Sequence, residues 1–210
     1  MSELVVRSFA AVVMIVIALV ATMEGGYVFA VLAAAAATAV FYEWTRLVRG
    51  WGPVWYVSGF VYALAAALAL LWVRDRADNG IALVFWVFAI VWATDIGAYF
   101  AGRAIGGPKL APAISPGKTW AGFYGGIVAA TIVAGAWAMF TGIDPVLLLL
   151  APLFSVAAQG GDLFESWMKR RAGVKDSGRL LPGHGGVFDR LDGLLPVAIL
   201  TAASVLAGVA

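Results

Sequence analysis

Gln159, Asp162, Ser166 and Lys169 follow one another at intervals of three, four and three residues. On a helix that spacing sets them in one stripe, and the stripe runs out of an apolar segment into a loop of cations and glycines. Asp189 and Asp192, three apart, share a face at the start of the next apolar segment. The loop between these two acidic faces holds Gly173, Gly178, Gly183, Gly185 and Gly186, and can fold back to bring them together. Facing carboxylates suggest a divalent metal site, with Mg²⁺ preferred because the ligands are oxygens. The loop itself has the chemistry of a phosphate site. Lys169, Arg170, Lys175 and Arg179 supply cations, and the glycines let backbone N–H groups approach an anion closely.

Asp95, Asp162, Asp189 and Asp192 all lie within or at the ends of apolar stretches. An acidic side chain at mid-membrane costs about 2.5–3.5 kcal/mol. One such residue near a span end reads equally well as a capping or snorkelling group. Four of them require counter-charges, metal ions or a water-filled cavity. A second loop adds Lys118 within Ile114-Ser115-Pro116-Gly117-Lys118-Thr119. Its Gly-Lys-Thr is not a nucleotide-binding P-loop, because position 112 is Pro rather than Gly and no strand is expected before it. A dinucleotide-binding glycine pattern and a zinc-protease His-Glu-x-x-His are also missing. His184 is the only histidine; a structural role and a phosphate or acid–base role both stay open for it. Attraction to anionic headgroups explains Lys169 to Arg171, but neither the glycines nor the nearby Asp176, Asp189 and Asp192.

The elements that must position these groups are membrane helices. Of 210 residues, 63% are hydrophobic and only 12% charged, against roughly 45–50% and 25% in ordinary globular proteins. That leaves too few charges to coat a soluble domain, so most of the apolar surface must face lipid. There is no cysteine, which excludes disulfides, Cys-ligated metals and cysteine nucleophiles. The net charge of +2 and the lack of a basic soluble face exclude a nucleic-acid partner.

Apolar runs predict an all-α polytopic membrane protein of about seven transmembrane helices: 8–23, 27–42, 53–73, 81–101, 120–141, 145–165 and 188–209. The first two are short. A cleaved signal peptide is the alternative for the first, disfavoured because further spans follow at once and the cleavage pattern is poor. The chain forms one integral membrane domain over 1–210, with N-terminal spans in 1–91 and a catalytic region in 92–195. Eleven Lys and Arg fall on one side of this arrangement and only Arg74 and Arg76 on the other. The positive-inside rule then places the N-terminus and the loops 102–119 and 166–187 in the cytoplasm. The alanine run Ala33 to Ala37 reads as close helix packing, and Trp51, Trp55 and Trp72 as interfacial anchors.

The segment from Ser166 to Asp192 resembles the signature of the phosphatidate cytidylyltransferases, or CDP-diacylglycerol synthases. The matching positions are Ser166, Lys169-Arg170, Lys175-Asp176, His184-Gly185-Gly186 and Asp189-Arg190-Leu191-Asp192. Residues Gly161 to Glu165 and 94–122 are also similar, so the likeness covers about 92–195. The chain looks like a short form of the family. Gly193 stands where Ser commonly follows the last Asp, and Ala121 where Glu commonly follows Lys-Thr-Trp; both bear on substrate preference more than on reaction class.

The resemblance implies transfer of CMP from CTP to phosphatidate, giving CDP-diacylglycerol and pyrophosphate. It implies Asp162, Ser166, Lys169, Asp189 and Asp192 as the catalytic set. Mg²⁺, with room for a second metal ion, would sit on Asp162, Asp189 and Asp192, with Asp95 a further candidate. Lys175, Asp176, Arg179, His184, Gly185 and Gly186 would hold the nucleotide, and Lys118 and Arg170 the lipid phosphate. A homodimer in the bacterial inner membrane, its site facing the cytoplasm and open sideways to membrane lipid, completes the expectation. The rival readings are a CTP-dependent cytidylyltransferase or kinase for another lipid, and an ion or phosphate transporter with intramembrane carboxylates.

Overall fold

The computed structural model describes residues 3–181, 183 and 185–208. In chain order it runs α1 (Glu3–Glu24), α2 (Gly26–Leu47), α3 (Pro53–Arg74), α4 (Gly80–Ala104), β1 (Lys109–Ala111) and β2 (Ser115–Thr119). It continues through α5 (Trp120–Thr141), α6 (Val146–Arg171), α7 (Phe188–Leu191) and α8 (Leu194–Leu206). Five of these helices, α2 to α6, are long and apolar enough to cross a membrane, and apolar helical stretches at Val12–Glu24 and Leu194–Leu206 are shorter. Large apolar side chains such as Val31, Ile132 and Leu149 stay exposed around the bundle, a surface that lipid covers. The protein is an integral membrane protein.

Two expectations change. The loop 102–119 is not irregular: it carries an antiparallel hairpin pairing Lys109 with Thr119 and Ala111 with Ser115, an addition to the all-α reading. Gly106 and Gly107, both at positive φ, turn the chain back from α4. Trp120 N–H closes the hairpin on Pro108 O at 3.1 Å, and the Thr119 hydroxyl caps α5 by accepting from Gly122 N–H at 3.1 Å. The last apolar helix also starts later than expected. Phe188–Leu191 is a separate short turn, so Asp189 and Asp192 precede α8 instead of opening it.

The tightest packing lies between α4 and α5, not along the alanine run. Within that run Ala33 is buried, but Ala34 and Ala35 are exposed. On α4 and α5, a Cβ at Gly97 would fall 2.7 Å from Gly125 O, one at Gly122 would fall 2.8 Å from Ala98 O, and one at Gly125 would collide with Ala101. Backbones touch at these glycines, and that contact holds the hairpin between α4 and α5 in place. Below it, Trp86 and Phe154 meet edge to face at 4.9 Å among buried Leu83, Ile90 and Leu147. A second buried cluster at the loop end joins Trp44, Leu47, Met168, Phe188 and Leu195. Trp51 and Trp55 pack against Trp167, and the Arg171 guanidinium lies 4.5 Å above Trp51.

Gly125→Val should overpack the α4–α5 contact and cost about 1–3 kcal/mol, read as a lower unfolding midpoint in detergent. Gly117→Val, where a Cβ meets nothing within 4 Å, is the control and should leave the midpoint unmoved.

Candidate active site

The stripe on α6 is real, but its members face different partners. Gln159 Nε2 donates to Phe123 O at 3.2 Å and ties α6 to α5. One turn on, Asp162 accepts from the Ser166 hydroxyl at 3.3 Å and pairs with Lys118 Nζ at 2.6 Å. Lys118 reaches it because the hairpin folds over the end of α6, where Arg170 Nε donates to Ile114 O at 3.1 Å.

The next turn carries a second ion cluster. Lys169 Nζ lies 2.6 Å from Asp189 Oδ1 and also pairs with the buried Glu165. The other oxygen of Asp189 accepts from Ser177 N–H at 3.0 Å and Gly186 N–H at 2.8 Å, and lies 3.0 Å from the Ser177 hydroxyl oxygen. Burial works against this charge. The Lys169 ammonium and the Gly186 amide outweigh it and hold the Asp189 carboxyl at about 2, well below the usual range. Lys169 is engaged by Glu165 and Asp189, and the Gly186 amide points to Asp189.

Asp192 lies against α6, because Gly161 has no Cβ to hold off the Asp192 backbone carbonyl. Its carboxylate accepts from Gly193 N–H at 2.7 Å. Burial, and then the neighbouring Asp162 charge, push its pKa upward, with a further contribution from Asp95. Asp95 on α4 interacts with the same Asp162 and with Lys118. Asp95 and Asp162 therefore share Lys118, with Asp192 beside them.

Of the expected nucleotide residues, Lys175, Asp176 and Arg179 are exposed on the loop and make no ion pair among the described residues. Gly185 supplies the positive-φ turn, at 86°, that pairs Leu181 with Gly185. His184 lies outside the described residues.

Residue-by-residue reading missed Glu43 and Ser177, and took Glu165 only as part of the resemblance. Glu43 is a carboxylate inside an apolar helix, which by itself marks a residue of interest. It stands one residue past the expected second span, 27–42.

The cytidylyltransferase family matches this chain over residues 49–207, from the end of α2 through α8. The chain belongs to the cytidylyltransferase family. Among its relatives is the phosphatidate cytidylyltransferase of Brucella suis biovar 1 (strain 1330), 40% identical over 257 residues that cover 95% of this chain and 92% of that protein. The phosphatidate cytidylyltransferase of Bacillus subtilis (strain 168) is 47% identical over 126 residues, 59% of this chain and 47% of the relative. That of Staphylococcus epidermidis (strain ATCC 12228 / FDA PCI 1200) is 44% identical over 131 residues, 61% of this chain and 50% of the relative.

The cytidylyltransferase site has the donors that Mg²⁺ prefers, yet no group of three or more acidic or histidine side chains among the described residues closes into a cage. That suits an ion held by one or two carboxylates and completed by substrate phosphates. Asp162 and Asp192, with surplus negative charge from Asp95, fit such a half-site. Asp189 joins only by exchanging Lys169 or an amide for the ion.

Removing the Lys169 charge should strand Glu165 and Asp189. Lys169→Met is expected to cost about 3–5 kcal/mol in unfolding experiments. Adding Glu165→Gln should recover part of that loss; a double variant no more stable than the single one would show that Glu165 is not the partner.

Proposed function

We propose that this protein transfers CMP from CTP to phosphatidate, releasing pyrophosphate and forming CDP-diacylglycerol. The observation that carries the reading is a junction. The Asp95–Asp162–Asp192 cluster stands beside an apolar groove of about 600 Å³ between α2, α3, α6 and α8. Trp44, Trp55, Tyr62, Gly160, Phe164 and Pro196 line the groove. Gly161 on its wall lies against the Asp192 backbone, so the groove adjoins the acidic cluster. A lipid whose phosphate must react with a soluble nucleotide needs such a boundary between apolar and charged surface.

In the reaction a phosphate oxygen of phosphatidate bonds to the α-phosphorus of CTP, and the α–β bridging P–O bond breaks to release pyrophosphate. The lipid phosphate supplies its own ionised oxygen, so no dedicated general base is required. Lys118 and Arg170, joined through the hairpin, would hold the lipid phosphate. Lys175 and Arg179 are the exposed cations for the triphosphate. Asp162 and Asp192, with Asp95 and Asp189 near them, would hold Mg²⁺, which neutralises the charge gathered as two polyanions meet. Ser166 orients Asp162, and Lys169 fixes Asp189.

Seven crossings with a cytoplasmic N-terminus, counting the two shorter apolar helices, belong to the same reading; the eleven-to-two distribution of Lys and Arg supports that orientation. The relatives' bacterial sources support a plasma-membrane location. The likeness to the family supports a homodimer.

Purified protein in detergent micelles with labelled CTP, Mg²⁺ and phosphatidate should form labelled CDP-lipid. Product only with an ether or polyprenyl phosphate would move the reading to another lipid, and label crossing sealed vesicles without CTP would favour a transporter. In the same assay Asp162→Asn should raise the Mg²⁺ concentration giving half-maximal rate by at least about tenfold. An unchanged Mg²⁺ dependence would remove Asp162 from the metal site. A Cβ at Gly160 would meet nothing within 4 Å, so Gly160→Leu should fill the groove without unfolding the helix. The expected result is a several-fold higher KM for phosphatidate with the KM for CTP unchanged.

A further inference from the structure

We propose that Glu43, on α2 and ahead of the span 49–207 that matches the family as a whole, is a positioning residue for nucleotide transfer. It fixes Ser177 and the Val187–Phe188 end of the signature loop, and through Ser177 the neighbouring nucleotide cations. The inference rests on the proposed cytidylyl transfer. Glu43 is fully buried, and no cation is paired with it among the described residues. It accepts instead from the Ser177 hydroxyl at 3.0 Å, from Val187 N–H at 3.1 Å and from Phe188 N–H at 2.8 Å. A buried carboxylate without a counter-ion persists only when such donors satisfy it. All three donors come from the signature loop, so α2 and the loop are held in one arrangement.

The glycines of the loop fit this role. A Cβ at Gly178 would collide with Glu43, and one at Gly186 with both Glu43 and Ser177. Two glycines that suggested close approach to a phosphate are therefore needed for close approach to Glu43. Ser177 carries the arrangement onward, since its hydroxyl oxygen lies 3.0 Å from Glu43 Oε2 and 3.0 Å from Asp189 Oδ2. On either side of Ser177 stand the exposed Lys175 and Arg179. Displacing the loop moves these cations, whereas Lys118 and the hairpin are attached to α6 by separate contacts.

Glu43→Gln keeps the side chain's size but turns an amide donor toward N–H and O–H donors. Steady-state kinetics on the full chain in phosphatidate micelles should show an apparent KM for CTP raised at least about tenfold, with the KM for phosphatidate within about twofold. Ser177→Ala, which removes one bridge and leaves the two amide contacts, should shift the CTP value in the same direction. The double variant should be less impaired than the two separate effects combined. If Glu43→Gln does not fold, Ser177→Ala carries the test alone. A KM for CTP within about twofold of normal in the folded variant overturns the proposal, as does an equal rise in both KM values. Normal kinetics per folded molecule, with only the folded fraction reduced, would make Glu43 purely structural and also overturn it. An inactive unaltered protein would sink the proposed function and this inference together, whereas an active one with indifferent variants sinks the inference alone.

Discussion

Lys169 holds its ammonium between Glu165 and Asp189, and the loop end of the bundle is organised around that contact. In a low-dielectric setting a carboxylate must be paired, hydrogen-bonded or neutralised. Glu165 is one turn before Lys169 on the same helix, so pairing these two closes nothing by itself. Asp189 lies 20 positions after Lys169, beyond the loop that leaves α6. Its pairing with Lys169 brings the start of α7 back to α6 and sets the ends of the signature loop.

Once that closure is made, the carboxylates of this end divide into two groups. Glu43 and Asp189 are satisfied within the protein by ammonium, hydroxyl or amide donors, and Glu165 is paired with Lys169. Asp95, Asp162 and Asp192 are not: Asp95 and Asp162 share Lys118, and the three charges oppose one another. The first group holds the fold together, and the second leaves negative charge for an external cation to offset. Carboxylates a few residues apart in the chain thus do different work. Asp189 and Asp192 share a short turn, yet only Asp189 is enclosed by donors.

The hairpin and the glycines make this division possible. Without the turn at Gly106 and Gly107, Lys118 would not lie over α6. Without Gly161, the Asp192 backbone would be pushed away from Asp162. The groove beside them is open because Gly160, next in line, projects no side chain into it. Two adjacent glycines on one helix therefore serve opposite ends, one allowing contact and the other preserving space.

The sequence by itself determined the class of protein, the helices α2 to α6 and the residues that converge, because apolar runs and the three- and four-residue spacing of Asp162, Ser166 and Lys169 are local properties of the chain. It also carried the family, through the spaced residues from Ser166 to Asp192. Which charge meets which was decided only by tertiary structure. Lys118 and Asp162 are far apart in the chain, Glu43 and Ser177 lie 134 residues apart, and no periodicity within either segment encodes their meeting. The late start of α8 was hidden as well, since an apolar run does not show that Asp189 and Asp192 belong to a separate turn. Types and spacings of residues say what chemistry is on hand; the packing of α2 against the returning loop decides which carboxylates are consumed in holding it and which remain for the substrates.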